Sequence, residues 1–329
     1  MSIPTTMRAL VQGALEGPGG LGVDGEVAVP WPRAGEVLVR VAVAGVNFRD
    51  VMQGRGTSPG GPRPPFVAGF EGVGEVVALG EGVSGPGVGT HVMGVGDGAF
   101  AEYMVLPAAA AVPVPPGWTD LQAVGMLVNL PTALAALRPL GGLAAGETVL
   151  IQAAAGGVGQ AAVRMAKHYG AQVIATASAA KHDAVRALGA DHVLDSRGDN
   201  LAKVRELTGG LGVDLVLECA GGEGFDASLA LAKPVTGRVV VYGLAGGISS
   251  ITNQDLVYRH PIHLIGFNLG TLIQAAPQLF GEVMGELFAL VAAGVVTPTE
   301  PTAYDLADGA MALAELENRS STGKLALLP

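Results

Sequence analysis

Residues 149–167 read VLIQAAAGGVGQAAVRMAK. A short apolar run enters a cluster of alanines and glycines, and a pattern typical of an amphipathic helix follows. The spacing Ala153-x-x-Gly156-x-x-Gly159 is a variant of the G-x-G-x-x-G fingerprint, with Ala153 at the position of the first glycine. Such a turn lets the backbone and the free N–H groups of a helix N-terminus approach a pyrophosphate. The stretch therefore predicts a dinucleotide site; the alternative is that the glycines only allow tight packing of helix on strand.

The sequence around this turn predicts an α/β fold. Strand and helix patterns alternate from the turn to IHLIGF (262–267), which indicates a doubly wound parallel sheet. Residues 1–120 are instead β-rich, and EVLVRVAVAGV (36–46) has the pattern of a half-buried strand. The segment 121–137 reads as one helix. We expect a first domain at 1–122, a nucleotide-binding domain at 123–267, and a return to the first domain at 268–329.

Composition and charge exclude several classes of protein. Of 329 residues, 49% are hydrophobic and 15% charged, which indicates a well-buried globular chain. The net charge is −10 and no basic segment is clustered, so we expect neither a nucleic-acid nor a membrane partner. The single cysteine, Cys219, excludes an internal disulfide and any multi-cysteine zinc site. No apolar stretch has the character of a signal peptide or a membrane span, so we expect a cytoplasmic protein.

The second strand of the nucleotide-binding half predicts which dinucleotide binds. Proteins that select NAD usually end this strand with an acid that binds the ribose 2′-hydroxyl. Here AQVIATAS ends on Ser178, Lys181 follows closely, and Arg197 comes after the third strand. Cations and a hydroxyl suit a 2′-phosphate, which a carboxylate would repel. The pattern favours NADPH; the alternative for Lys181 is a solvated lysine at a helix start.

Three stretches resemble the zinc-free branch of the medium-chain dehydrogenase/reductase superfamily. They are AGVNFRDVM (44–52), PFVAGFEGVGEVVALGEGV (65–83) and QAAAGGVGQAAVRMAKHYGAQVIATAS (152–178). Within that branch, the chain is similar to quinone oxidoreductases and to the enoyl reductase domains of polyketide synthases. The resemblance implies a Rossmann domain inserted in a GroES-like catalytic domain, with NADPH in the cleft. The implied cofactor-binding residues are Ala153, Gly156, Gly157, Val158, Gly159, Ser178, Lys181, Arg197, Tyr242, Gly243, Leu244, Phe267, Asn268, Leu269 and Lys324.

The positions that hold zinc in metal-dependent relatives are changed here. Those relatives have a cysteine where this chain has Asn47, and a histidine where it has Phe70. Neither side chain is a plausible zinc ligand. His260 and His263, in RHPIH, are the one close histidine pair, and we interpret both as structural. We therefore expect no metal.

The resemblance implies hydride transfer without a metal. Hydride from NADPH would add to the β-carbon of an α,β-unsaturated carbonyl, such as an enone or enoyl thioester, or to a quinone. Relatives place an Asn at Asn47 and a Thr at Thr132 beside the nicotinamide; the alternative is that Asn47 caps a turn and Thr132 caps a helix. Many relatives carry a tyrosine at the position of Ser58, so the proton donor stays open. The catalytic candidates are Asn47, Thr132 and Ser58.

Several alternatives remain open. A quinone reductase and an enoyl thioester reductase are not separated, although Arg55 and Arg63 are candidates for a phosphopantetheine or coenzyme A phosphate. Arg49 and Asp50 form either an acid–base pair or, as we prefer, a structural ion pair or turn. The second class of function is a non-catalytic NADPH-binding protein with a structural or regulatory role. We also expect a homodimer, joined through the apolar strand IHLIGF.

Overall fold

The computed structural model describes residues 3–329 and divides them into two compact units. Unit 1 comprises the chain up to Leu127 together with Pro298–Pro329, and unit 2 comprises Val128–Thr297. The second unit is therefore a continuous segment inserted between the two parts of the first.

The described residues form sixteen strands and ten α-helices. The strands are β1 (Thr6–Gln12), β2 (Leu21–Ala28), β3 (Glu36–Val46), β4 (Phe66–Val67), β5 (Glu71–Leu79), β6 (His91–Val95), β7 (Tyr103–Pro107), β8 (Val112–Pro113), β9 (Thr148–Ile151), β10 (Gln172–Ala177), β11 (His192–Asp195), β12 (Leu215–Glu218), β13 (Arg238–Val241), β14 (His263–Gly266), β15 (Thr302–Asp305) and β16 (Leu325–Leu328). The helices are α1 (Phe48–Gly54), α2 (Asp120–Ala123), α3 (Asn129–Leu137), α4 (Gly157–His168), α5 (His182–Ala187), α6 (Asn200–Leu207), α7 (Phe225–Leu229), α8 (Leu269–Ala275), α9 (Pro277–Ala292) and α10 (Gly309–Glu317).

Unit 1 is built on a seven-stranded sheet and a three-stranded sheet. The larger sheet has the order β15-β16-β3-β5-β6-β8, with β7 also paired to β3, and the smaller has the order β2-β1-β4. The pattern of β3 predicts a half-buried strand, but most of its residues are buried, Val37, Val39 and Val41 among them. The reason is that β3 lies inside the sheet and contributes to the main hydrophobic core of this unit. At the end of the chain, β16 pairs antiparallel with β3.

Unit 2 contains a six-stranded sheet with the order β11-β10-β9-β12-β13-β14. Every pair of neighbouring strands is parallel. This confirms the doubly wound parallel sheet predicted from the alternating pattern. Strands buried on both faces need apolar residues at every position, and Val149, Leu150 and Ile151 of β9 are fully buried. The strand order reverses between β9 and β12, which is where such sheets bind ligands.

The pattern over 121–137 predicts one helix, and this prediction is wrong. The structure has two helices, α2 and α3, with a break between them. Gly125 lies in the break with φ of +94°, a value that ends a right-handed helix. Its N–H donates to Glu71 Oε1 at 2.7 Å, so a contact from a distant strand holds the break open.

Both boundaries between the units differ from the expected ones. The first lies after Leu127, whereas the expected first domain ends at 122. The expected return to the first domain is at 268, but residues 268–297 group with unit 2. Helix α9 packs against α3, and the Tyr169 hydroxyl, at the end of α4, donates to Glu286 of α9 at 2.6 Å. These contacts within unit 2 keep α8 and α9 with the parallel sheet.

No single helix among residues 3–329 has both the length and the apolar character to cross a bilayer. The consecutive helices α8 and α9 reach that length and composition only when taken together, and they meet at an angle of 117°.

Glycines inside two helices of unit 2 have opposite surroundings, and we predict opposite effects of an added methyl group. A Cβ at Gly159 in α4 would lie 2.4 Å from the Ala153 carbonyl oxygen and 2.6 Å from Ala154 Cα, whereas a Cβ at Gly285 in α9 meets nothing within 4 Å. Gly159→Ala should lower the free energy of unfolding by about 1–3 kcal/mol. Gly285→Ala should raise it by about 0.5–1 kcal/mol. Urea unfolding of both variants checks this; effects of the same sign would contradict it.

Candidate functional site

The fingerprint turn lies at the carboxyl end of β9. Helix α4 begins at Gly157 with Gly156 as its N-cap residue, and its first turn carries no acidic side chain. Ala153 adopts φ of +48°, the left-handed conformation that glycine adopts most readily. The backbone at Ala153 thus keeps a glycine-like conformation although the residue type has changed. A helix N-terminus without an acidic side chain in its first turn attracts an anionic group.

Tight packing of α4 is also observed, as the alternative interpretation of the glycines requires. The close approach at Gly159 leaves no space for a side chain. A Cβ at Gly157 would lie 3.0 Å from Asn129 Oδ1. That amide oxygen is itself buried and has no hydrogen-bond partner among the described residues. Gly159 therefore serves packing, while an unsatisfied acceptor lies beside the start of α4. Packing and ligand binding are compatible at this turn.

The residues predicted to recognise the 2′-phosphate follow the next two strands. Ser178 comes directly after β10, Lys181 comes three residues later, and Arg197 comes after β11. Because β10 and β11 are parallel neighbours, these residues belong to the same edge of the sheet as the fingerprint turn. Arg197 is exposed. Lys181 is half-buried, and its partial desolvation lowers the pKa of the ammonium. An anion near this ammonium would favour its charged form.

Tyr242, Gly243 and Leu244 follow β13 at the same edge. A Cβ at Gly243 would lie 2.6 Å from the Cys219 carbonyl oxygen, so glycine is required where the segments after β12 and β13 approach each other. Burial raises the pKa of the Tyr242 phenol well above its ordinary value, and the neighbouring Cys219 and Glu218 raise it further. Tyr242 is therefore neutral.

Phe267, Asn268 and Leu269 follow β14. Phe267 is buried, and its N–H donates to the Val241 carbonyl at 2.8 Å. Asn268 is the N-cap of α8, and its side-chain oxygen accepts from the Thr271 N–H at 2.9 Å. The Asn268 side-chain oxygen is therefore the acceptor of the helix cap. The cap does not use the amide nitrogen of the same side chain.

In unit 1 three buried side chains form a hydrogen-bonded triangle. The Lys324 ammonium donates to Asn47 Oδ1 and to Glu71 Oε2, each at 2.7 Å. The Asn47 amide donates to Glu71 Oε2 at 2.9 Å and to the Gly45 carbonyl at 3.0 Å. Asn47 is 7% exposed and Glu71 is 2% exposed. The triangle joins Asn47 to Lys324, two residues that the sequence resemblance assigns to catalysis and to cofactor binding.

Asp50 is buried at the start of α1, for which Asn47 is the N-cap residue. One carboxylate oxygen, Oδ2, accepts from the Asn47 N–H at 2.8 Å. The other, Oδ1, is buried and has no hydrogen-bond partner within residues 3–329. Burial raises the pKa of Asp50 to about 7, although the Asn47 N–H and the Lys324 charge act in the opposite direction.

Arg49 does not form an ion pair with Asp50, which is one of the two structural roles, ion pair or turn, that we prefer from the sequence. Its guanidinium lies over the Phe70 ring, 4.3 Å from the centroid, and 3.9 Å from Asp97 Oδ1. Asp50 caps α1 instead, which is the turn role. Phe70, at the position of a zinc-binding histidine in metal-dependent relatives, thus supports a cation–π contact.

Thr132 and Ser58 have different surroundings from those of Asn47. Thr132 is the fourth residue of α3, and its hydroxyl donates to the Val128 carbonyl at 2.6 Å. It is therefore inside the helix and does not cap it. Ser58 lies in a turn after α1, is half-buried, and its carbonyl accepts from the Gly61 N–H at 3.0 Å.

The two arginines considered for a substrate phosphate, Arg55 and Arg63, differ in their contacts with the rest of the protein. Arg55 forms a bidentate ion pair with Glu317 at 2.7 and 2.9 Å, and it donates to the Glu16 carbonyl at 3.0 Å. Arg63 is exposed. Arg55 already has strong partners, so Arg63 is the better candidate of the two.

The described residues contain no group of three or more His, Cys, Asp or Glu side chains arranged to hold a metal ion. His260 is buried, and its Nε2 lies 2.9 Å from Asp226 Oδ1. His263 is an exposed residue of β14. This agrees with the structural interpretation of His260.

Two residues of these sites are absent from the sequence predictions. Glu71 is an acid inside the otherwise apolar segment VAGFEGVG (67–74), and a buried charge in a strand needs a partner; this signal could have identified it. Asn129 carries no comparable local signal, because only the approach of α3 to α4 places it beside Gly157.

Family models match most of both units. The alcohol dehydrogenase GroES-like domain matches residues 33–116, and the zinc-binding dehydrogenase model matches residues 157–286.

Curated relatives include large synthases. The chain is 37% identical over 309 residues to the pikromycin polyketide synthase component PikAII of Streptomyces venezuelae, covering 92% of this chain and 8% of that protein. It is 38% identical over 336 residues to the erythronolide synthase EryA2 of Saccharopolyspora erythraea, covering 99% of this chain and 9% of that protein. The chain thus spans less than a tenth of the length of either relative.

Solved structures of similar size match over almost their whole length. A mycobacterial protein solved with NADPH is 33% identical, with a TM-score of 0.91 and coverage of 98% of this chain and 100% of that one. A quinone oxidoreductase of Pseudomonas syringae is 32% identical, with a TM-score of 0.91 and the same coverage. The CurK enoyl reductase is 28% identical, with a TM-score of 0.88 and coverage of 99% of both chains.

The chain belongs to the medium-chain dehydrogenase/reductase superfamily of oxidoreductases, in the branch of the quinone oxidoreductases and polyketide synthase enoyl reductases. This confirms the family and the fold class predicted from the sequence.

Asp50 should make the stability of the protein depend on pH. The folded protein holds this proton up to about pH 7, whereas the ordinary value is 3.8. A carboxyl group whose pKa is raised in the folded state stabilises the fold fully at pH values below its ordinary pKa. This stabilisation is lost as the pH rises through about 7. Relative to Asp50→Asn, which keeps an acceptor for the Asn47 N–H, the wild type should lose up to about 4 kcal/mol between pH 4 and pH 8.5.

Urea unfolding of both proteins across this range checks the prediction. Taking the difference between them cancels the titration of all other groups. A difference that does not change with pH would show that Asp50 titrates normally.

Proposed function

We propose that this chain is an NADPH-dependent reductase that transfers hydride, without a metal, to the activated C=C bond of an α,β-unsaturated carbonyl compound or to a quinone. The observation that carries the proposal is the carboxyl edge of the unit 2 sheet. There, a fingerprint turn at β9 is followed by a hydroxyl and two cations after β10 and β11, with no acid at the end of β10. The NADPH complex of a solved relative supports the choice of cofactor.

The residues present fit a phosphorylated dinucleotide. We assign the pyrophosphate to the turn Ala153–Gly159, whose helix N-terminus has no acidic side chain in its first turn. We assign the 2′-phosphate to Ser178, Lys181 and Arg197. The unsatisfied Oδ1 of Asn129 supplies an acceptor for a hydroxyl or amide of the ligand. The nicotinamide half is assigned to the segments 242–244 and 267–269, and Lys324 to an anionic oxygen.

Bound NADPH supplies the hydride. When hydride adds to the β-carbon of an enone or enoyl thioester, negative charge develops on the carbonyl oxygen, and a positioned donor lowers the barrier. Thr132 keeps its hydroxyl hydrogen on Val128, so it offers a lone pair and no donor in this arrangement. Lys324 has one N–H beyond its two acceptors. The proton for the α-carbon comes from Ser58 or from water. Water is included because the hydroxyl of serine is a weak acid.

We also propose that the protein forms a homodimer. Strand β14 is the last strand of the unit 2 sheet, so one of its edges has no partner strand among residues 3–329. Tyr258 and Val257, in the helical turn that precedes β14, are exposed apolar side chains at 80% and 60%. Pairing of β14 with its copy would cover this edge. Sedimentation at micromolar concentration should therefore give twice the chain mass of 32.9 kDa; the single-chain mass would contradict it.

The function is tested by following NADPH oxidation at its absorbance band with a quinone, an enone and a 2-enoyl thioester in turn. We expect oxidation with at least one of the three, and much slower oxidation of NADH. Tight NADPH binding without any turnover would instead favour a non-catalytic NADPH-binding protein, and no binding of either nucleotide would refute both.

Variants of the residues assigned to the 2′-phosphate test the cofactor assignment in the same assay. Removing one charged hydrogen-bonding partner of a phosphate costs about 1.5–3 kcal/mol, so Lys181→Ala and Arg197→Ala should each raise the KM for NADPH about tenfold or more. The KM for NADH should not change. Arg8→Ala, which removes an exposed arginine of β1 that pairs with Glu102, is the control and should change neither.

A further inference from the structure

The orientation of the Asn47 amide is determined by its neighbours. Its oxygen accepts from the Lys324 ammonium, and its nitrogen donates to a carbonyl and to a carboxylate. The opposite orientation would place the NH2 group against the ammonium and the oxygen against two acceptors. Both N–H groups of Asn47 are therefore used within the protein, and the amide has no donor left for a substrate carbonyl.

Glu71 holds the other side of the triangle. Its Oε1 accepts from the Gly125 N–H at 2.7 Å, and its Oε2 accepts from Asn47 and Lys324. A Cβ at residue 45 would lie 2.3 Å from Oε2, so the glycine there makes room for the carboxylate. Since three donors bind the two oxygens of Glu71, the carboxylate is fixed in position and its charge is compensated.

Lys324 is the one member of the triangle with an N–H donor left. An ammonium has three N–H donors, and Lys324 has two acceptors within the described chain. Its side chain is 10% exposed and lies in a salt bridge with Glu71. A cation that is buried, held from two sides and left with one donor is suited to bind an anionic oxygen.

We infer that Asn47 and Glu71 are positioning residues that act through Lys324, and that they hold its ammonium for an anionic oxygen of the ligand. That oxygen belongs either to a phosphate of the cofactor or to the carbonyl on which charge develops during reduction. The inference rests on the proposed function for the identity of the ligand. It changes the role of Asn47 from a catalytic group to one that orients a lysine.

The first test separates the charge of Lys324 from its contribution to stability. Glu71→Gln and Lys324→Met each leave a buried charge without its partner, so each should lower the melting temperature. The double variant Glu71→Gln/Lys324→Met removes both charges and should recover most of that loss. Its function should stay impaired at least tenfold, because the ammonium is gone. The matched control is Asp214→Asn/Lys233→Met. It removes an ion pair in which the Lys233 ammonium lies 2.6 Å from Asp214 Oδ1, and it should keep full function.

The two sources of the anionic oxygen give different results with the double variant. A cofactor phosphate predicts a Kd for NADPH raised tenfold or more with little change in kcat. A substrate oxygen predicts an unchanged Kd and a kcat lowered tenfold or more. A double variant with the wild-type Kd and kcat would overturn the inference.

The second test asks whether Asn47 acts through Lys324, and it does not require the Glu71 variants to fold. Asn47→Ser should reduce activity in the wild type and have no further effect when combined with Lys324→Met. Independent, multiplying effects would overturn the inference while leaving the proposed function intact. A wild-type protein that binds no NADPH would refute the proposed function, and the inference with it.

Discussion

The contact of α4 with the fingerprint turn is the constraint on which the candidate nucleotide site depends. At Gly159 the helix lies so close to Ala153 and Ala154 that one methyl group would overlap the backbone. This approach places the first N–H groups of α4 at the carboxyl end of β9. The parallel order of β9, β10 and β11 then brings Ser178, Lys181 and Arg197 to the same edge. Each of these positions follows from one close backbone contact and one sheet order.

Features that depend on local pattern were predictable from the sequence. The strands of unit 2 are short apolar runs because helices cover both faces of a parallel sheet, and the turn between β9 and α4 follows from its small residues. The break at Gly125 was not predictable in this way. An apolar pattern continues through residues 121–137, and the helix is interrupted by a hydrogen bond to Glu71, 54 residues earlier in the chain. No window of sequence contains that partner.

The candidate site shows the same division. The fingerprint could be recognised although Ala153 replaces a glycine, because the surrounding strand and helix patterns identify the turn. The pairing of Lys324 with Asn47 joins residues 277 positions apart, and it depends on β16 pairing with β3. The sequence alone therefore named both residues but could not show that one holds the other. The ion pair of Arg55 with Glu317 could not be predicted for the same reason, because Glu317 is 262 positions away.

The position of β16 has a consequence for the order of events during synthesis. This strand, Leu325–Leu328, lies between β15 and β3 in the large sheet of unit 1, so that sheet stays incomplete until these residues have left the ribosome. Unit 2 is a continuous segment that ends at Thr297 and has all its strands available earlier. The inserted unit can therefore fold on the nascent chain while Ala44–Val46 at the end of β3 still lack their partner strand. A factor that protects exposed strand edges during translation would act on this segment.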